Sequence, residues 1–466
     1  MPNTPSKQLA AFASGLAFEQ IPEHVIRRAQ WLFLDWYGSA LAGCRSRSAE
    51  VFKKFARDMG PESGTCQLFG SAHASSPLFA ALVNAAASHV VEQDDLHNAS
   101  ILHPGAVVFP PIFAMAQSLP AVSGKDFLTA AVAGYECGIR VGEFLGRSHY
   151  RVFHTTATAG TLAAAMAVAR MLNLSPEQTL HALGSAGTQA GGLWEFLRDG
   201  ADSKQLHVAK AAADGLLAAY SAHYGLTAAK QILEGQQGMA QGMLGEGDSA
   251  KLTDRLGARW ALLETSLKFH ASCRHTHPAA DALLQICHEH DLDFRDIEHV
   301  RAYVYQAAKD VLGAVDVPNT IHQSKFSMGF VLALIARHRS AGIFDFSEQA
   351  LSDPINVDLR QRVNMIVDAD IDQQYPEKWG ARVEVKLHCG EILQAFVNTP
   401  KGDPGNMLSR EELEAKVINL ALHGGVARAE MKAIIDLIWA LSEVASFGVT
   451  FPSAASRLLS RDEKMK

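Results

Sequence analysis

The sequence predicts a mainly α-helical protein with an inserted α+β domain. Apolar residues recur at helical spacing through most of residues 1–265, whereas the alternation typical of strands appears only between residues 266 and 402. The string S-R-E-E, from Ser409, then opens a helix in the manner of a capping box. We therefore expect an all-helical domain from residues 1–265 together with 403–466, and a smaller α+β domain from residues 266–402.

Helices are expected along most of the first 265 residues. The predicted helices are Ile21–Gly43, Ser76–Val91, Phe127–Leu145, Thr155–Leu172, one that begins after Ser175, and Lys204–Tyr224. Gly134, Gly138 and Gly142 stand four residues apart in the third of these, which indicates close helix packing. The glycines of Gly184–Ser203 fit no phosphate or dinucleotide pattern, so we expect a mobile loop that flanks a site.

Strand signals dominate the inserted segment. Residues 300–305 and 382–387 alternate apolar and polar side chains, and Cys389-Gly390 is expected to turn the chain into a second hairpin strand at Ile392–Val397. Ser324–His338 is predicted to be helical, and Ser446–Leu459 is predicted to be a frayed tail.

Composition excludes several classes of protein. The net charge is −7 and no long basic run occurs, which argues against nucleic acid as a partner. The six cysteines are scattered without a C-x-x-C, against a disulfide framework, a paired-cysteine zinc site or an iron–sulfur cluster. Three stretches without charged residues are too polar or too broken by proline to span a bilayer, and the N-terminus shows no apolar signal segment. We expect a cytoplasmic protein with no membrane partner.

Residues 266–281 read S-L-K-F-H-A-S-C-R-H-T-H-P-A-A-D. The cationic and titratable residues in this stretch are Lys268, His270, Cys273, Arg274, His275 and His277. Pro278 follows where a helix is expected to begin, and the partial positive charge of a helix N-terminus favours a bound anion. The pattern indicates half of a site for a small carboxylate, with a solvated polar loop as the alternative.

A zinc site is a second alternative for the same stretch. The four residues that would ligate zinc are His270, Cys273, His275 and His277. Lys268 and Arg274 would repel the metal, so we expect no metal here.

A second group of titratable residues lies at Glu92–Gly105, E-Q-D-D-L-H-N-A-S-I-L-H-P-G. Its members are Glu92, Asp94, Asp95, His97 and His103. A carboxylate beside an imidazole fixes the tautomer and raises the basicity of the ring, as a general base requires. The alternative is an aspartate pair that caps the next helix, with two surface histidines.

Two single residues stand beside helices rich in small side chains. His154 precedes a Thr- and Ala-rich helix and is either catalytic or a buried, satisfied histidine. Lys204 opens an Ala-rich helix and is either a solvated charge or a clamp for a carboxylate.

Several strings resemble, in a shared order, the MmgE/PrpD family, which includes 2-methylcitrate dehydratases and cis-aconitate decarboxylases. The strings are F-L-D-W-Y-G-S-A-L-A-G (33–43), H-V-V-E-Q-D-D-L-H-N-A-S-I-L-H-P-G (89–105), A-G-Y-E-C-G-I-R-V-G (133–142), F-H-T-T-A-T-A-G (153–160), K-Q-L-H-V-A-K-A-A-A-D-G (204–215), L-K-F-H-A-S-C-R-H-T-H-P-A-A-D-A (267–282) and K-F-S-M-G-F (325–330).

The resemblance implies a two-domain fold, a homodimer, an active site between the domains, and no organic cofactor or iron–sulfur cluster. The functional positions it implies are Asp94 or Asp95, His103, His154, Lys204 and Lys268. Two departures matter. The family's Thr after the aspartate pair is absent, so that His97 is the candidate substitute, and Cys273 stands where the decarboxylase branch has a histidine, which argues against decarboxylation.

The resulting hypothesis is a cofactor-independent lyase of the dehydratase type, a hydro-lyase that abstracts a proton next to a carboxylate of a small di- or tricarboxylic acid. The roles assigned are His103 and His154 as base and acid, Asp94 or Asp95 as the orienting carboxylate, Lys204, Lys268 and Arg274 on the substrate carboxylates, and His97, Cys273 and His277 as further substrate contacts. An epimerase or racemase, a cis-aconitate-type decarboxylase and, from another class, a metal-dependent hydrolase remain as alternatives.

Overall fold

A computed structural model of the protein describes residues 3–199 and 201–451. The described chain divides into two compact units. The first contains residues 3–90, 94–265 and 413–451, and the second contains residues 91–93 and 266–412.

The first unit is built mainly from helices. In chain order these are α1 (Pro5–Gly15), α2 (Glu23–Gly43), α3 (Arg47–Met59), α4 (Pro77–His89), α5 (Gly105–Ser118), α6 (Gly124–Tyr150), α7 (Thr155–Met171), α8 (Pro176–Gln189), α9 (Phe196–Asp199), α10 (Ser203–His223), α11 (Met239–Gly242) and α12 (Ser249–Thr253). Its short strands are β1 (Cys66–Gln67), β2 (Ala74–Ser75) and β3 (Leu96–His97), and β4 (Thr265–Ser266) stands where the chain leaves the unit.

The second unit combines helices with one larger sheet. Its helices are α13 (His277–Glu289), α14 (Gln306–Leu312), α15 (Ile321–Ser324), α16 (Met328–His338), α17 (Glu348–Ser352), α18 (Pro354–Gln361) and α19 (Ala369–Gln374). Its strands are β5 (Ile297–Val304), β6 (Val363–Val367), β7 (Ala381–Leu387) and β8 (Ile392–Val397). The chain then returns to the first unit through α20 (Arg410–His423), α21 (Arg428–Trp439) and α22 (Phe447–Thr450).

Small side chains allow the central helices of the first unit to pack closely. A Cβ atom added at Gly138 of α6 would lie 2.4 Å from the Cβ of Ala163 in α7, and one added at Gly215 of α10 would lie 2.4 Å from the Cβ of Ala164. Contacts below 3.0 Å force a neighbour to move, so larger residues at these positions would separate the helices. The close packing predicted for the glycine-bearing helix is confirmed.

Aromatic side chains also contribute a cluster to the core of the first unit. Phe33 of α2 lies 4.7 Å from Phe127 of α6 between ring centroids, and Phe127 lies 4.5 Å from Phe447 of α22. Phe447 is fully buried, so the frayed tail predicted for Ser446–Leu459 is wrong at its start. The part of that segment after residue 451 lies outside the described residues.

The sheet of the second unit has the strand order β6-β5-β7-β8. β7 and β8 form the predicted antiparallel hairpin, with Val385 opposite Leu393. β5 pairs antiparallel with β7 and parallel with β6. β6 is an edge strand that the sequence did not indicate, because its residues alternate between half-buried and exposed and carry no clear buried face. Helix α13 packs against β7 and β8.

Two local predictions are wrong. The first part of the expected mobile loop, residues 184–189, is the end of α8, because its glycines serve close packing: a Cβ at Gly184 would lie 2.4 Å from the carbonyl oxygen of Ala229. Residues 196–199 are also helical, and Gly200 lies outside the described residues.

The predicted helix Ser324–His338 is interrupted at residues 325–327. Ser327 is the N-cap of α16, and the backbone carbonyl of Lys325 accepts a hydrogen bond from the N–H of Cys273 instead of continuing the helix. No helix in the described part of the chain combines the length and apolar character needed to cross a membrane.

Candidate active site

Four histidines and one aspartate of the first unit come together at the ends of separate helices. His89 is the last residue of α4, His154 is the N-cap of α7, and His207 lies near the start of α10. His103 and Asp94 lie in the segment that joins α4 to α5. The ring centroid of His89 lies 4.8 Å from that of His103 and 5.8 Å from that of His154. We refer to these five residues as the histidine cluster.

Asp94 is the shared partner of two imidazoles. Its Oδ2 atom lies 2.6 Å from Nδ1 of His89 and 3.0 Å from Nδ1 of His103. Burial by itself would raise the pKa of Asp94, but the two neighbouring imidazoles outweigh it and hold the pKa well below its usual range. Asp94 is therefore an ionised carboxylate that orients His103, the arrangement that makes an imidazole an effective general base.

Asp95 is directed away from the histidines. Its Oδ1 atom accepts the backbone N–H of Gly105 at 2.9 Å, and its Oδ2 atom accepts the hydroxyl of Tyr135 at 2.7 Å. Burial raises the pKa of Asp95 to about 8. The two adjacent aspartates thus have different roles: Asp94 contacts the imidazoles, whereas Asp95 fixes the start of α5, just after His103.

His154 is held by a loop and by a second histidine. Its backbone N–H donates to the carbonyl of Gly192, and the Trp194 ring packs on its imidazole with centroids 4.7 Å apart. Its Nδ1 atom lies 3.4 Å from Nδ1 of His207. Burial lowers the pKa of both rings, so both are neutral near pH 7 and only one of the two Nδ1 atoms donates to the other.

Lys204 brings positive charge to the histidine cluster. The side chain is buried at the start of α10. After burial itself, the charge of Lys204 is among the causes that lower the pKa values of His89 and His154. The solvated charge considered as an alternative for Lys204 is therefore wrong.

His97 lies apart from the histidine cluster. Its Nδ1 atom is 2.9 Å from the hydroxyl of Ser100 and its Nε2 atom is 3.5 Å from Glu264. Its Nδ1 atom also lies 3.3 Å from the backbone nitrogen of Ser100, and none of these contacts goes to the histidine cluster. Its assignment as a substrate contact stays a prediction. The alternative of two surface histidines is wrong, since His97 is buried and His103 nearly so.

In the second unit, Lys268 is paired with Glu92. The Nζ atom of Lys268 lies 2.8 Å from the Glu92 carboxylate, and both side chains are buried. Glu92 has a φ of 56°, a left-handed backbone conformation that is strained for a residue other than glycine. Lys325 donates to the carbonyl of Val91 at 2.7 Å and Gln93 donates to the carbonyl of His270, so this strained segment is anchored on each side.

The other cationic and titratable residues singled out in residues 266–281 are buried, so the alternative of a solvated loop is wrong; they are His270, Cys273, Arg274, His275 and His277. Arg274 forms an ion pair with Asp403, and His275 bonds to the hydroxyl of Tyr305 at 2.7 Å. Cys273 is buried and forms no disulfide. Helix α13 begins at His277, one residue before Pro278, where the sequence predicted a helix to start.

The metal site considered for this stretch is not formed by its four residues. Nε2 of His270 bonds to Asp281 at 2.8 Å, and Nε2 of His277 faces the carbonyl of Ser272 at 3.3 Å. Within residues 3–199 and 201–451, the groups with ligand atoms close enough for a metal ion are His89, Asp94 and His103, and His97, Glu143 and Glu264.

In both groups the ligand atoms already contact partners of opposite charge or complementary hydrogen bonding. In the first, both imidazoles direct Nδ1 at one carboxylate oxygen of Asp94. In the second, the guanidinium of Arg259 lies 2.6 Å from both Glu143 and Glu264 and already supplies the positive charge.

The sequence assigned no role to His89 or His207 in the first unit. Nor did it assign a role to Asp281 or Asp403, the partners of His270 and Arg274 in the second unit. His207 stands three residues after Lys204 on the same helix, and that spacing is a signal that was available. Asp403 is far from Arg274 in sequence and no local pattern marks it.

The fold and site define a class: a mainly helical, two-domain protein with an imidazole–carboxylate site at helix ends. The MmgE/PrpD N-terminal domain matches residues 7–251 and the MmgE/PrpD C-terminal domain matches residues 270–441. The chain belongs to the MmgE/PrpD family, as the sequence strings indicated, and the predicted fold class is confirmed.

Three relatives illustrate the similarity. The chain is 28% identical over 462 residues to a cis-aconitate decarboxylase of Aspergillus terreus, covering 94% of this chain and 93% of that protein. It is 28% identical over 437 residues to the cis-aconitate decarboxylase-like protein oryM of Aspergillus oryzae, covering 89% and 90%. It is 24% identical over 422 residues to the cis-aconitate decarboxylase of Homo sapiens, covering 88% and 86%.

Proposed function

We propose that the protein is a lyase that acts on a small tricarboxylic acid by proton transfer at a carbon next to a carboxylate. The observation that carries the proposal is the Asp94–His103 pair: an ionised, buried carboxylate 3.0 Å from the imidazole of a partly exposed histidine. The side chain of His103 is 12% exposed and Asp94 is fully buried, so His103 is the member that a substrate can reach.

Cleavage of a carbon–carbon bond is the first candidate reaction, because relatives that are similar over most of the chain are named cis-aconitate decarboxylases. In this reaction the bond to one carboxylate breaks, carbon dioxide leaves, and the electron pair that remains is protonated. His103 in its protonated form is the proton donor, and the Asp94 carboxylate stabilises that imidazolium.

Dehydration is the second candidate, and Cys273 favours it because the sequence departs there from the decarboxylase branch. Here His103 removes the proton next to the carboxylate, and the hydroxyl group leaves as water after it is protonated by a second group. His154 is the candidate for this second group, and it must take up a proton before it can donate one, because its ring is neutral near pH 7. Lys204, in the same unit, is the proposed partner of a substrate carboxylate. Similar roles for Lys268 and Arg274 stay predictions, since each is paired with an acidic residue.

A product assay tests the proposal. Purified protein is incubated with cis-aconitate, citrate and 2-methylcitrate, and carbon dioxide, alkene products and deuterium incorporation from D₂O are measured. Carbon dioxide from cis-aconitate supports decarboxylation, and an alkene from a hydroxy acid supports dehydration. Deuterium at a stereocentre of recovered substrate without either product would identify an epimerase.

A histidine variant links the activity to the site. His103→Ala is expected to lower kcat by about a hundredfold or more, because it removes the proton-transfer group. The matched control is His73→Ala, at an exposed histidine of the same unit. Unchanged turnover in His103→Ala would remove His103 from the mechanism.

A further inference from the structure

His89 is a completely buried histidine to which neither the sequence patterns nor the relatives' names assign a role. It ends α4, and its Nδ1 atom lies 2.6 Å from Oδ2 of Asp94, the same oxygen that His103 approaches. The His89 ring also stacks near His154, with an interplanar angle of 25°. His89 therefore contacts the same carboxylate oxygen as His103, but His89 is fully buried whereas His103 is partly exposed.

The charges of the pair determine where the proton of His89 lies. Burial lowers the pKa of His89 to about 4, so the ring is neutral at pH 7 and carries one N–H. Asp94 is ionised and can only accept. The N–H must therefore be at Nδ1, and Nε2 carries a lone pair.

The Nε2 atom of His89 supports a functional role. It is buried and makes no hydrogen bond within the described residues. An unsatisfied buried polar atom reduces stability, and such groups tend to persist where function requires them. A residue needed only to fill this space could be apolar and would avoid that cost.

We propose that His89 is a positioning residue for the lyase reaction: by donating Nδ1–H to Asp94, it holds the carboxylate ionised and aimed at His103. This inference rests on the proposed function, because its kinetic consequence needs the Asp94–His103 pair to transfer protons. His89 itself exchanges no proton with the substrate.

Two substitutions separate hydrogen bonding from space filling. In His89→Asn the carboxamide nitrogen replaces Nδ1 and keeps the donor, although the side chain is smaller. His89→Leu keeps most of the volume and removes the donor. A positioning role predicts that kcat falls about ten- to a hundredfold in His89→Leu with KM changed less than about twofold, and that His89→Asn retains kcat within about fivefold of wild type.

A purely structural role predicts the reverse order, because leucine fills the site better than asparagine. Higher kcat in His89→Leu than in His89→Asn would overturn the inference, as would equal kcat in all three proteins. Circular dichroism and thermal unfolding check that each variant is folded, and kcat is compared at a temperature where all are native.

A second measurement does not depend on activity. In protein labelled with ¹⁵N-histidine, the signal absent from His89→Asn identifies His89. We expect a protonated Nδ1 and an unprotonated Nε2 from pH 6 to pH 8, and the opposite tautomer would overturn the inference. If wild-type protein converts none of the acids tested, the proposed function fails, and the tautomer alone decides whether His89 donates to Asp94.

Discussion

Asp94→Asn is the substitution that tests the candidate site most directly. The amide keeps the shape of the side chain but removes the charge shared by His89 and His103. A hydrogen bond to a charged group contributes about 1.5–3 kcal/mol, which corresponds to about ten- to 150-fold in rate if it is lost in the transition state. The amide N–H₂ also favours the wrong tautomer of His103, so the total loss in kcat is expected to be about 10²- to 10⁴-fold.

The adjacent residue supplies the matched control. Asp95→Asn is the same substitution at a buried neighbour that bonds to Gly105 and Tyr135 rather than to a histidine. Because burial raises the pKa of Asp95 to about 8, the amide there replaces a carboxyl group that is mostly neutral at pH 7. Its loss in kcat is expected to stay below about tenfold, because the amide can still accept from Gly105 and donate to Tyr135. Steady-state kinetics on folded variants decide. Equal losses in the two variants, or less than about fivefold in Asp94→Asn, would refute the assignment of Asp94.

Two further predictions concern stability in the second unit. Lys268→Met should lower the free energy of unfolding by about 3–5 kcal/mol, because it leaves the buried carboxylate of Glu92 without its lysine. The double variant Lys268→Met, Glu92→Gln should recover at least half of that loss, as measured by urea titration. If the second substitution recovered nothing, the pairing of Lys268 with Glu92 would be contradicted. Burial lowers the pKa of His275 from 6.5 to about 3, so the unfolded chain binds the extra proton as pH falls below 6.5 and stability is lost. The glutamine of His275→Gln does not titrate, so the free energy of unfolding of this variant should fall less steeply between pH 6.5 and 3 than that of wild type. The difference in slope should be up to about 1.4 kcal/mol per pH unit, and parallel plots of unfolding free energy against pH would contradict this.

The sequence was sufficient where consecutive residues carry the signal. The helices Thr155–Met171 and Glu23–Gly43 follow from apolar spacing, and the hairpin of β7 and β8 follows from alternation around a glycine turn. The capping box at Ser409 forms as predicted, since its N–H donates to Glu412 and its hydroxyl accepts from the N–H of that residue. These features depend on neighbours in the chain.

Only the tertiary structure decided between Asp94 and Asp95, which are equivalent in any local pattern. The backbone of the loop directs one carboxylate to His89 and His103 and the other to Tyr135, and helices far apart in sequence supply those partners. The same reason explains why the sequence did not reveal the importance of His89. Residue types and spacing determine which chemistry is available, whereas the packing of distant helices determines which of those groups meet.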